Sequence, residues 1–360
     1  VVGCSPPMVP PLRRGDEVLA AMVEAAGLFF RMDELVIRAG EMIAAAVGAE
    51  AATVTAGAGS GLTLQSAAAI TRGDPEKIAR LPDTHGMANE LIIQRRHRFV
   101  YDHLYLTPGA RFVEVGDASG CDPDEVEAAI TDRTVGLIHL ESSFKQGGSV
   151  PLPTLAEIAH RHDLPVLCDA ASRLPPRANL TKFLDEGADL VSFSGGKAVR
   201  GPQSTGILLG TKDWVEWARL NNAPNATVGR AMKVSREEIV GLVAAVEAFI
   251  AVDEAAEMAE YREQMQMVVD RIADIPGLRA VVEHNFDHVM PHAVAYLTPA
   301  WRGPSRETIH ARLLAGTPRI YVSIFGVSDE IYVDPLNIQP GELEIVAQRF
   351  EEELRAAAAG

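Results

Sequence analysis

Short apolar runs alternate with helical patterns between about residue 50 and residue 210. The apolar runs predicted to be strands are Thr53–Thr55, Phe112–Val115, Val135–Leu140, Val166–Asp169, Leu190–Ser194 and Ile207–Leu209. Helix signals lie between several of them: Asp122-Pro123-Asp124-Glu125 places a proline near the first helical position and acids in the first turn, and Pro153–His162 follows a helical pattern. Because the strand runs are apolar along their whole length, we expect both faces of the sheet to be covered. This predicts a mostly parallel sheet in an α/β fold.

The pattern changes after Lys212. Val234–Ile250 and Ala255–Ile272 predict long amphipathic helices that link the main sheet to a second unit. The later elements predicted are strands near Ala293–Leu297, Arg319–Ile324 and Glu330–Val333 and a last helix from about Gly341. We therefore expect two domains: an N-terminal segment with a large domain over residues 1–233, and linking helices with a small C-terminal α+β domain over residues 234–360.

Composition narrows the class of protein. The chain has 360 residues, of which 47% are hydrophobic and 23% charged, the balance of a soluble globular protein. No apolar run approaches the roughly 20 residues that span a bilayer, and Val1–Pro10 lacks the basic start and apolar core of a secretory signal, so no membrane association is expected. The chain starts without Met, so we expect that a short leader precedes Val1.

Charge and cysteine content bear on partners and location. The net charge of −16 would repel a phosphate backbone, so we expect no nucleic-acid partner. The three cysteines, Cys4, Cys121 and Cys168, show no CxxC spacing. An odd, sparse set points to a reducing compartment and predicts a cytoplasmic location.

Lysine is rare in this chain, and one lysine has an unusual position. Of the six lysines, Lys197 alone follows an apolar run, Leu190–Phe193, and sits in the small-residue turn Ser194-Gly195-Gly196-Lys197. Open α/β sheets bind ligands at the carboxyl ends of their strands. Partial desolvation there lowers the pKa of a lysine and makes its neutral amine available for imine formation. The alternative, a surface lysine in a glycine turn, stays open.

A carboxylate ends the preceding predicted strand, Val166–Asp169. A buried carboxylate needs a cationic or hydrogen-bonding partner. In a pyridoxal-phosphate (PLP) site that partner is the protonated pyridine nitrogen, which lets the ring act as an electron sink. Asp169 as a simple cap of the next turn is the alternative, but Asp169 and Lys197 end consecutive strands. We therefore predict that Lys197 holds PLP as a Schiff base and that Asp169 faces its nitrogen, with Cys168 an ordinary core residue.

A glycine-rich segment, Thr55–Gly61, lies between the strand at Thr53 and the helical pattern Leu62–Ile70. Small residues let backbone N–H groups approach an anion, and a helix N-terminus adds a favourable field. The segment resembles a degenerate dinucleotide loop as much as a PLP phosphate site. A P-loop does not fit, because no lysine follows the glycines. A Rossmann fingerprint lacks the acidic residue about 20 residues on, where Thr71–Pro75 reads as a turn.

Several motifs together resemble one enzyme family. Ser194–Lys197 followed by Arg200-Gly201-Pro202-Gln203 is similar to the lysine motif of the selenocysteine-synthase-like branch of fold type I PLP enzymes, which includes D-glucosaminate-6-phosphate ammonia-lyase. The similarity continues through Met32–Leu35, Leu91–Arg95, Asp169-Ala170-Ala171 with Leu174-Pro175-Pro176, and Gly229–Val234. It covers most of the chain. The resemblance implies a large PLP domain with a mostly parallel sheet, a small C-terminal domain, and a homodimer or higher homo-oligomer with active sites at the subunit interface.

By position, the resemblance assigns cofactor-binding roles. Lys197 would carry the cofactor and shuttle protons, and Asp169 would pair with the pyridinium. The phosphate would be bound by Gly57, Ala58, Gly59 and Ser194. His97 falls where related enzymes stack a residue on the cofactor ring, although a solvated histidine in a basic stretch is the alternative. Ser172 occupies a position that can reach the ring hydroxyl.

The resemblance also suggests where the substrate acid group binds. Arg319 matches the region of a carboxylate-binding arginine, and Arg230 is a second candidate that would reach a neighbouring subunit's site; either residue can instead be structural. The sequence departs from the family pattern at Arg96, Phe99–Val100 and Arg173, close to His97 and Asp169, so the substrate can differ from those of the best-known members.

Three histidines in the C-terminal third have a spacing that also occurs in zinc sites. His284, His288 and His292 recur every four residues, the spacing of helical zinc ligands. Pro291 and the loop-like Asn285–Asp287 argue against a continuous helix. We therefore expect no metal.

The predicted function is a PLP-dependent lyase that eliminates water and ammonia from a hydroxylated amino acid or amino sugar acid to give a 2-keto acid. A PLP-dependent aldolase, β-replacement transferase or aminotransferase shares the first steps and stays open. Selenium transfer onto seryl-tRNA is not expected, because the chain is acidic and begins almost directly at the catalytic core. A nicotinamide-dependent oxidoreductase would leave Lys197 and Asp169 unexplained, and a non-catalytic PLP-binding protein is the third class.

Overall fold

The computed structural model describes residues 2–3, 15–142, 147–325 and 328–359. The helices are α1 (Asp16–Ala26), α2 (Met32–Val47), α3 (Gly57–Thr71), α4 (Pro75–Arg80), α5 (Pro123–Ala128), α6 (Leu152–Arg161), α7 (Asn179–Asp185), α8 (Lys212–Leu220), α9 (Arg236–Ala251), α10 (Glu254–Ile272), α11 (Arg306–Ala315) and α12 (Leu343–Ala359). The strands are β1 (Val2–Gly3), β2 (Ala51–Thr55), β3 (Glu90–Gln94), β4 (Arg111–Val115), β5 (Thr134–Leu140), β6 (Val166–Asp169), β7 (Leu190–Ser194), β8 (Gly206–Gly210), β9 (Leu278–Glu283), β10 (His292–Leu297), β11 (Ile320–Tyr321) and β12 (Glu330–Val333).

The chain divides into two compact units. The large unit spans Arg14–Ala251, and the small unit comprises Val252–Gly360 with the N-terminal strand β1. Helix α9 belongs to the large unit because it packs against α1 and α2. The division thus falls after Ala251, whereas the change in sequence pattern suggested a boundary after residue 233.

A seven-stranded sheet forms the centre of the large unit, in the order β2-β8-β7-β6-β5-β3-β4. Strands β3 to β7 pair in parallel, while β8 is antiparallel to both of its neighbours, β7 and β2. The expected mostly parallel α/β sheet is therefore confirmed. Strand β3 is a strand that the sequence analysis missed, because its apolar core is only Leu91–Ile93 and charged residues follow at Arg95–Arg98.

Helix α3 crosses one face of this sheet and is buried on all sides from Gly61 to Thr71. The close approach depends on Gly61, where a Cβ atom would lie 2.2 Å from the Ser192 hydroxyl of β7. Gln65 donates hydrogen bonds to the carbonyls of Cys168 and Leu190, at 2.9 and 3.1 Å, so the sheet satisfies the donors of its buried amide nitrogen. The helix begins at Gly57, five residues before the helical pattern expected at Leu62.

The small unit is an α+β structure. Strands β12, β10 and β9 form an antiparallel sheet in that order, and β11 pairs in parallel with β1. Side chains of α10, α11 and α12, including Val268, Ile309 and Phe350, pack with this sheet into one hydrophobic core. Strand β9 was missed in the sequence, and the strand expected over Arg319–Ile324 is limited to Ile320–Tyr321. Among the helices described, none has the length and apolarity to cross a membrane.

Candidate active site

The sheet brings the chemically distinctive segments to one edge. Because β8 is antiparallel to both β7 and β2, strand β2 runs in the same direction as β3 to β7, and the carboxyl ends of these strands share an edge. Asp169, at the end of β6, is paired with Ser192 of β7. Thr55 of β2 and Ser194 of β7 both pair with Gly206 of β8. The start of α3, the lysine turn and Asp169 therefore lie at the same end of the sheet.

The turn that carries Lys197 is held by backbone hydrogen bonds. Gly195 N donates to Thr205 O at 2.9 Å, and Gly201 N donates to Gly195 O at 2.8 Å. The chain passes closely over itself at Gly196, where a Cβ atom would lie 2.5 Å from the Gln203 Cα atom. Lys197 is half-buried. Burial lowers the pKa of its amine, and the negative charge of Asp169 partly opposes this shift. The arrangement favours the neutral, nucleophilic form of the lysine.

Asp169 is only 4% exposed. Burial raises the pKa of its carboxyl to about 6, while a hydrogen bond from Ala171 N and the charge of Lys197 oppose the shift. The Ala171 N–H donates to Oδ1 at 2.9 Å. Within the described part of the chain, no cation lies within ion-pair distance of this carboxylate. Such a buried carboxylate fits the protonated nitrogen of a pyridine ring.

The first turn of α3 fits a phosphate group. Gly57, Ala58 and Gly59 begin the helix, where backbone N–H groups have no carbonyl partner within the helix. Gly57 adopts φ +74°, which glycine allows at little cost. Gly206 makes room for this turn, because a Cβ atom there would lie 2.4 Å from the Gly57 carbonyl carbon. Ser194 lies beside the turn, paired with Gly206 on the next strand.

His97 also lies at this edge, in a short 3-10 turn that follows β3. It is 2% exposed, so the alternative of a solvated histidine is wrong. The Leu140 N–H, near the end of β5, donates to Nδ1 of His97 at 3.3 Å. The imidazole is thus attached to the carboxyl end of β5, one strand away from Asp169.

For the other expected site residues, Ser172, Arg230 and Arg319, the structure gives no direct contact with Lys197 or Asp169 among the residues described. Ser172 is exposed in the turn after Asp169. Arg230 is exposed and lines a cavity of about 330 Å³ together with Met32 and Lys233. Arg319 belongs to the small unit, directly before β11. The structure thus gathers Lys197, Asp169, Ser194, His97 and the start of α3 in the large unit.

Two ionisable residues near Asp169 were missed by the sequence analysis. His139 of β5 and Glu141, two residues later, contact each other, with 3.2 Å between Nε2 and Oε2. A histidine inside the otherwise apolar run of β5 was the available signal. Burial raises the pKa of the Cys168 thiol well above its usual value, in keeping with a core residue.

The three histidines with the zinc-like spacing, His284, His288 and His292, belong to the small unit. His288 and His292 contact each other, with 2.8 Å between their Nδ1 atoms, and pack around Tyr332. Across the described ranges, no group of three or more His, Cys, Asp or Glu side chains is arranged to hold a metal ion.

Comparison with known proteins gives a consistent result. The model of a protein family described as SelA, L-seryl-tRNA selenium transferase, matches residues 99–275. The chain is 33% identical to 5'-C-glycyluridine monooxygenase-decarboxylase of a Streptomyces species, over 94% of this chain and 85% of the relative. It is 30% identical to D-glucosaminate-6-phosphate ammonia lyase of Salmonella typhimurium, over 93% and 90% of the two chains.

Solved structures agree with these sequence relatives. A structure of D-glucosaminate-6-phosphate ammonia-lyase superposes with a TM-score of 0.81 at 30% identity and covers 96% of this chain and 93% of that one. Ureidoglycine-glyoxylate aminotransferase of Bacillus subtilis shares the fold with a TM-score of 0.63 at 14% identity, over 99% and 95% of the two chains. Sequence identity over most of the chain, the shared fold, and the lysine and aspartate at one edge of the sheet all indicate the same family. The chain belongs to the selenocysteine-synthase-like branch of the fold type I, pyridoxal-phosphate-dependent enzymes.

Proposed function

We propose that this enzyme is an ammonia-lyase that acts on a hydroxylated amino acid or amino sugar acid and releases a 2-keto acid. The observation that carries the proposal is the placement of a lysine with a lowered pKa beside a buried carboxylate, at the edge where α3 begins. The 30% identity to a D-glucosaminate-6-phosphate ammonia lyase over most of both chains supports this choice of reaction.

The residues at the sheet edge would hold PLP in one orientation. Lys197 would bind its aldehyde carbon, Asp169 would face its ring nitrogen, and the start of α3 with Ser194 would bind its phosphate. His97 would cover one face of the ring, and Ser172 would reach the ring hydroxyl. When bound, PLP supplies an electron sink for the carbanion that forms at the substrate Cα atom.

Lys197 would carry out the proton transfers of this reaction. After the substrate amine had displaced Lys197, the lysine would remove the Cα proton as a general base, because its lowered pKa favours the neutral amine. Loss of the β-hydroxyl with a proton releases water. Hydrolysis of the resulting unsaturated amine consumes one water and releases ammonia, so the overall products are a 2-keto acid and ammonia. Arg230 or Arg319 would bind the substrate's acid group.

Cofactor attachment and reaction type are tested separately. Purified protein incubated with PLP should become yellow and should bleach on reduction with borohydride, whereas Lys197→Ala should form no such band. Lys212→Ala, which replaces an exposed lysine of the same unit, is the matched control and should behave as the wild type. A colourless wild-type protein would contradict the assignment of Lys197.

The reaction is then assayed with D- and L-hydroxyamino acids and amino sugar acids, with and without a phosphate group. The proposal requires equal amounts of ammonia and 2-keto acid, formed without oxygen. The 33% identity to a monooxygenase-decarboxylase favours a second candidate, an oxygen-dependent decarboxylation of an amino acid. Consumption of oxygen with release of carbon dioxide, and no keto acid under anaerobic conditions, would establish that candidate instead.

A further inference from the structure

A line of largely buried ionisable side chains starts at His97, and its further members, His139, Glu141 and Arg173, have no part in the proposed function. The rings of His97 and His139 meet edge to face, with 4.8 Å between their centroids and an interplanar angle of 84°. His139 is 6% exposed, and its Nε2 atom lies 3.2 Å from Oε2 of Glu141. The other oxygen of Glu141 lies 3.8 Å from Nε of Arg173. Burying these groups is unfavourable unless they are paired, so their alignment behind His97 calls for a reason.

The strand explains how the line is built. His139 and Glu141 are two residues apart, so their side chains lie on the same side of β5 and its extension. The Glu141 N–H donates to the Asp169 carbonyl at 2.9 Å and continues the ladder to β6. The Leu140 N–H points the other way, past the end of β3, where the His97 imidazole accepts it. The His97 side chain thus accepts a hydrogen bond that the backbone of β3 would accept if the pairing of β3 with β5 continued.

This hydrogen bond determines where the proton of His97 resides. A backbone N–H can only donate, so Nδ1 of His97 must present a lone pair. The neutral imidazole then carries its proton on Nε2, and a protonated Nδ1 would break the bond to Leu140. The ring that faces His97 is that of His139, so the orientation of His139 affects how firmly the His97 ring is held.

Glu141 in turn orients His139. Burial opposes ionisation of Glu141, but the hydrogen bond from His139 and the electrostatic interactions with His139 and Arg173 outweigh it, and the pKa of the carboxyl is lowered. The charged carboxylate accepts the Nε2–H of His139 and fixes that ring. A neutral amide at position 141 would lose this attraction and would present a donor and an acceptor in two orientations.

We infer that His139 and Glu141 are a positioning pair, which holds the His97 ring in the orientation that accepts the Leu140 N–H and thereby maintains its Nε2–H tautomer. The inference rests on the proposed function in one respect, that His97 faces the PLP ring. Neither residue needs to touch substrate or cofactor. Their effect is to hold the imidazole in one orientation at the edge where the chemistry is proposed to occur.

The test uses full-length protein labelled with ¹⁵N-histidine, both with PLP bound and after its removal. Long-range ¹H–¹⁵N spectra report the protonated nitrogen of each ring, and His97→Gln identifies the signal of His97. We expect an Nε2–H tautomer in the wild type and a mixture of forms in Glu141→Gln. The matched control is Glu127→Gln, which removes the carboxylate of an exposed histidine pair with His162 and should leave the His97 signal unchanged.

Kinetics supply a second readout. In Glu141→Gln we expect the kcat to fall about tenfold with little change in KM, because a ring that reorients is misplaced in part of the molecules. Glu141→Asp keeps the charge and should recover part of the rate and of the His97 signal; it also replaces Glu141→Gln if that variant does not fold. An unchanged His97 spectrum in the variant used would overturn the inference. Absence of ammonia release by the wild type would instead refute the proposed lyase, since the spectra require no substrate.

Discussion

Asp169→Asn is expected to have opposite effects on stability and on cofactor binding. In the folded protein the pKa of the carboxyl is raised to about 6 by burial, against a usual value of 3.8. The folded state thus holds this proton more tightly than the unfolded chain. The associated stability is fully present below pH 4 and is lost as the pH rises through about 6. A shift of about two units corresponds to ~3 kcal/mol.

Asparagine removes this penalty and keeps the local hydrogen bond. Its Oδ1 can still accept the Ala171 N–H, which lies 2.9 Å from the carboxylate. Cofactor-free Asp169→Asn protein should therefore be more stable than the wild type at pH 8, by up to ~3 kcal/mol, with about half of this difference at pH 5. The same variant should bind PLP more weakly and lose activity, because an amide cannot neutralise a pyridinium.

Urea unfolding at pH 5 and pH 8 measures the stability difference. Trp214 and Trp217 lie on α8 of the large unit, so their fluorescence in a Trp301→Phe background follows that unit alone. Asp132→Asn, at an exposed turn of the same unit, is the control and should show no pH-dependent gain. Equal stability differences at the two pH values, or a less stable Asp169→Asn protein at pH 8, would refute the reasoning.

Three further perturbations test the fold. Gly206→Ala should destabilise the large unit by ~2 kcal/mol or more and weaken PLP binding, because its Cβ would lie 2.4 Å from the Gly57 carbonyl carbon. The control is Gly27→Ala, whose Cβ would meet no atom closer than 3.5 Å. Equal urea midpoints for the two variants would contradict this prediction. Phe350→Ala empties a fully buried position in the small unit and should cost about 3–5 kcal/mol, followed by the fluorescence of Trp301, and a loss below ~1 kcal/mol would show that the site repacks. Burial lowers the pKa of His292 well below its usual value, so the unfolded chain binds more protons and the small unit should lose stability as the pH falls below about 6.5. His292→Gln should lessen this loss in urea titrations at pH 7.5 and 5.5, and an identical pH dependence would count against it.

The sequence was informative wherever one short segment contained the whole signal. Lys197 lies in a turn directly after the buried strand β7, and Asp169 directly ends β6, so their meeting at one edge follows from the parallel pairing of β6 and β7. The start of α3 was harder to locate. Glycine has low helix propensity, so Gly57–Gly61 is typical of a loop by sequence, although the buried part of α3, Gly61–Thr71, continues directly from it.

What escaped prediction depended on contacts between distant segments. The apolar core of β3 is too short to distinguish from a buried turn, and its position between β5 and β4 is decided by pairing. The His139–Glu141 pair gave little signal, because a histidine in an apolar strand reveals its role only through its neighbours. Helix α9 was read as a linker, although its apolar face packs on α1 and α2, more than 180 residues earlier in the chain.

The loop that carries Lys197 has a fixed length. It leaves β7 after Ser194 and must enter β8 at Gly206, and these two residues lie directly opposite each other in the sheet. Any inserted residue would have to fit beside the close approach of Gly196 to Gln203, whereas the connections after β3 and β6 lead to elements that are not paired with those strands at this point. Insertions in the connections after β3 and β6 can therefore change the surroundings of a substrate, while the position of Lys197 relative to the sheet stays the same. This separation lets one fold keep a single way of anchoring its cofactor and still diversify its chemistry.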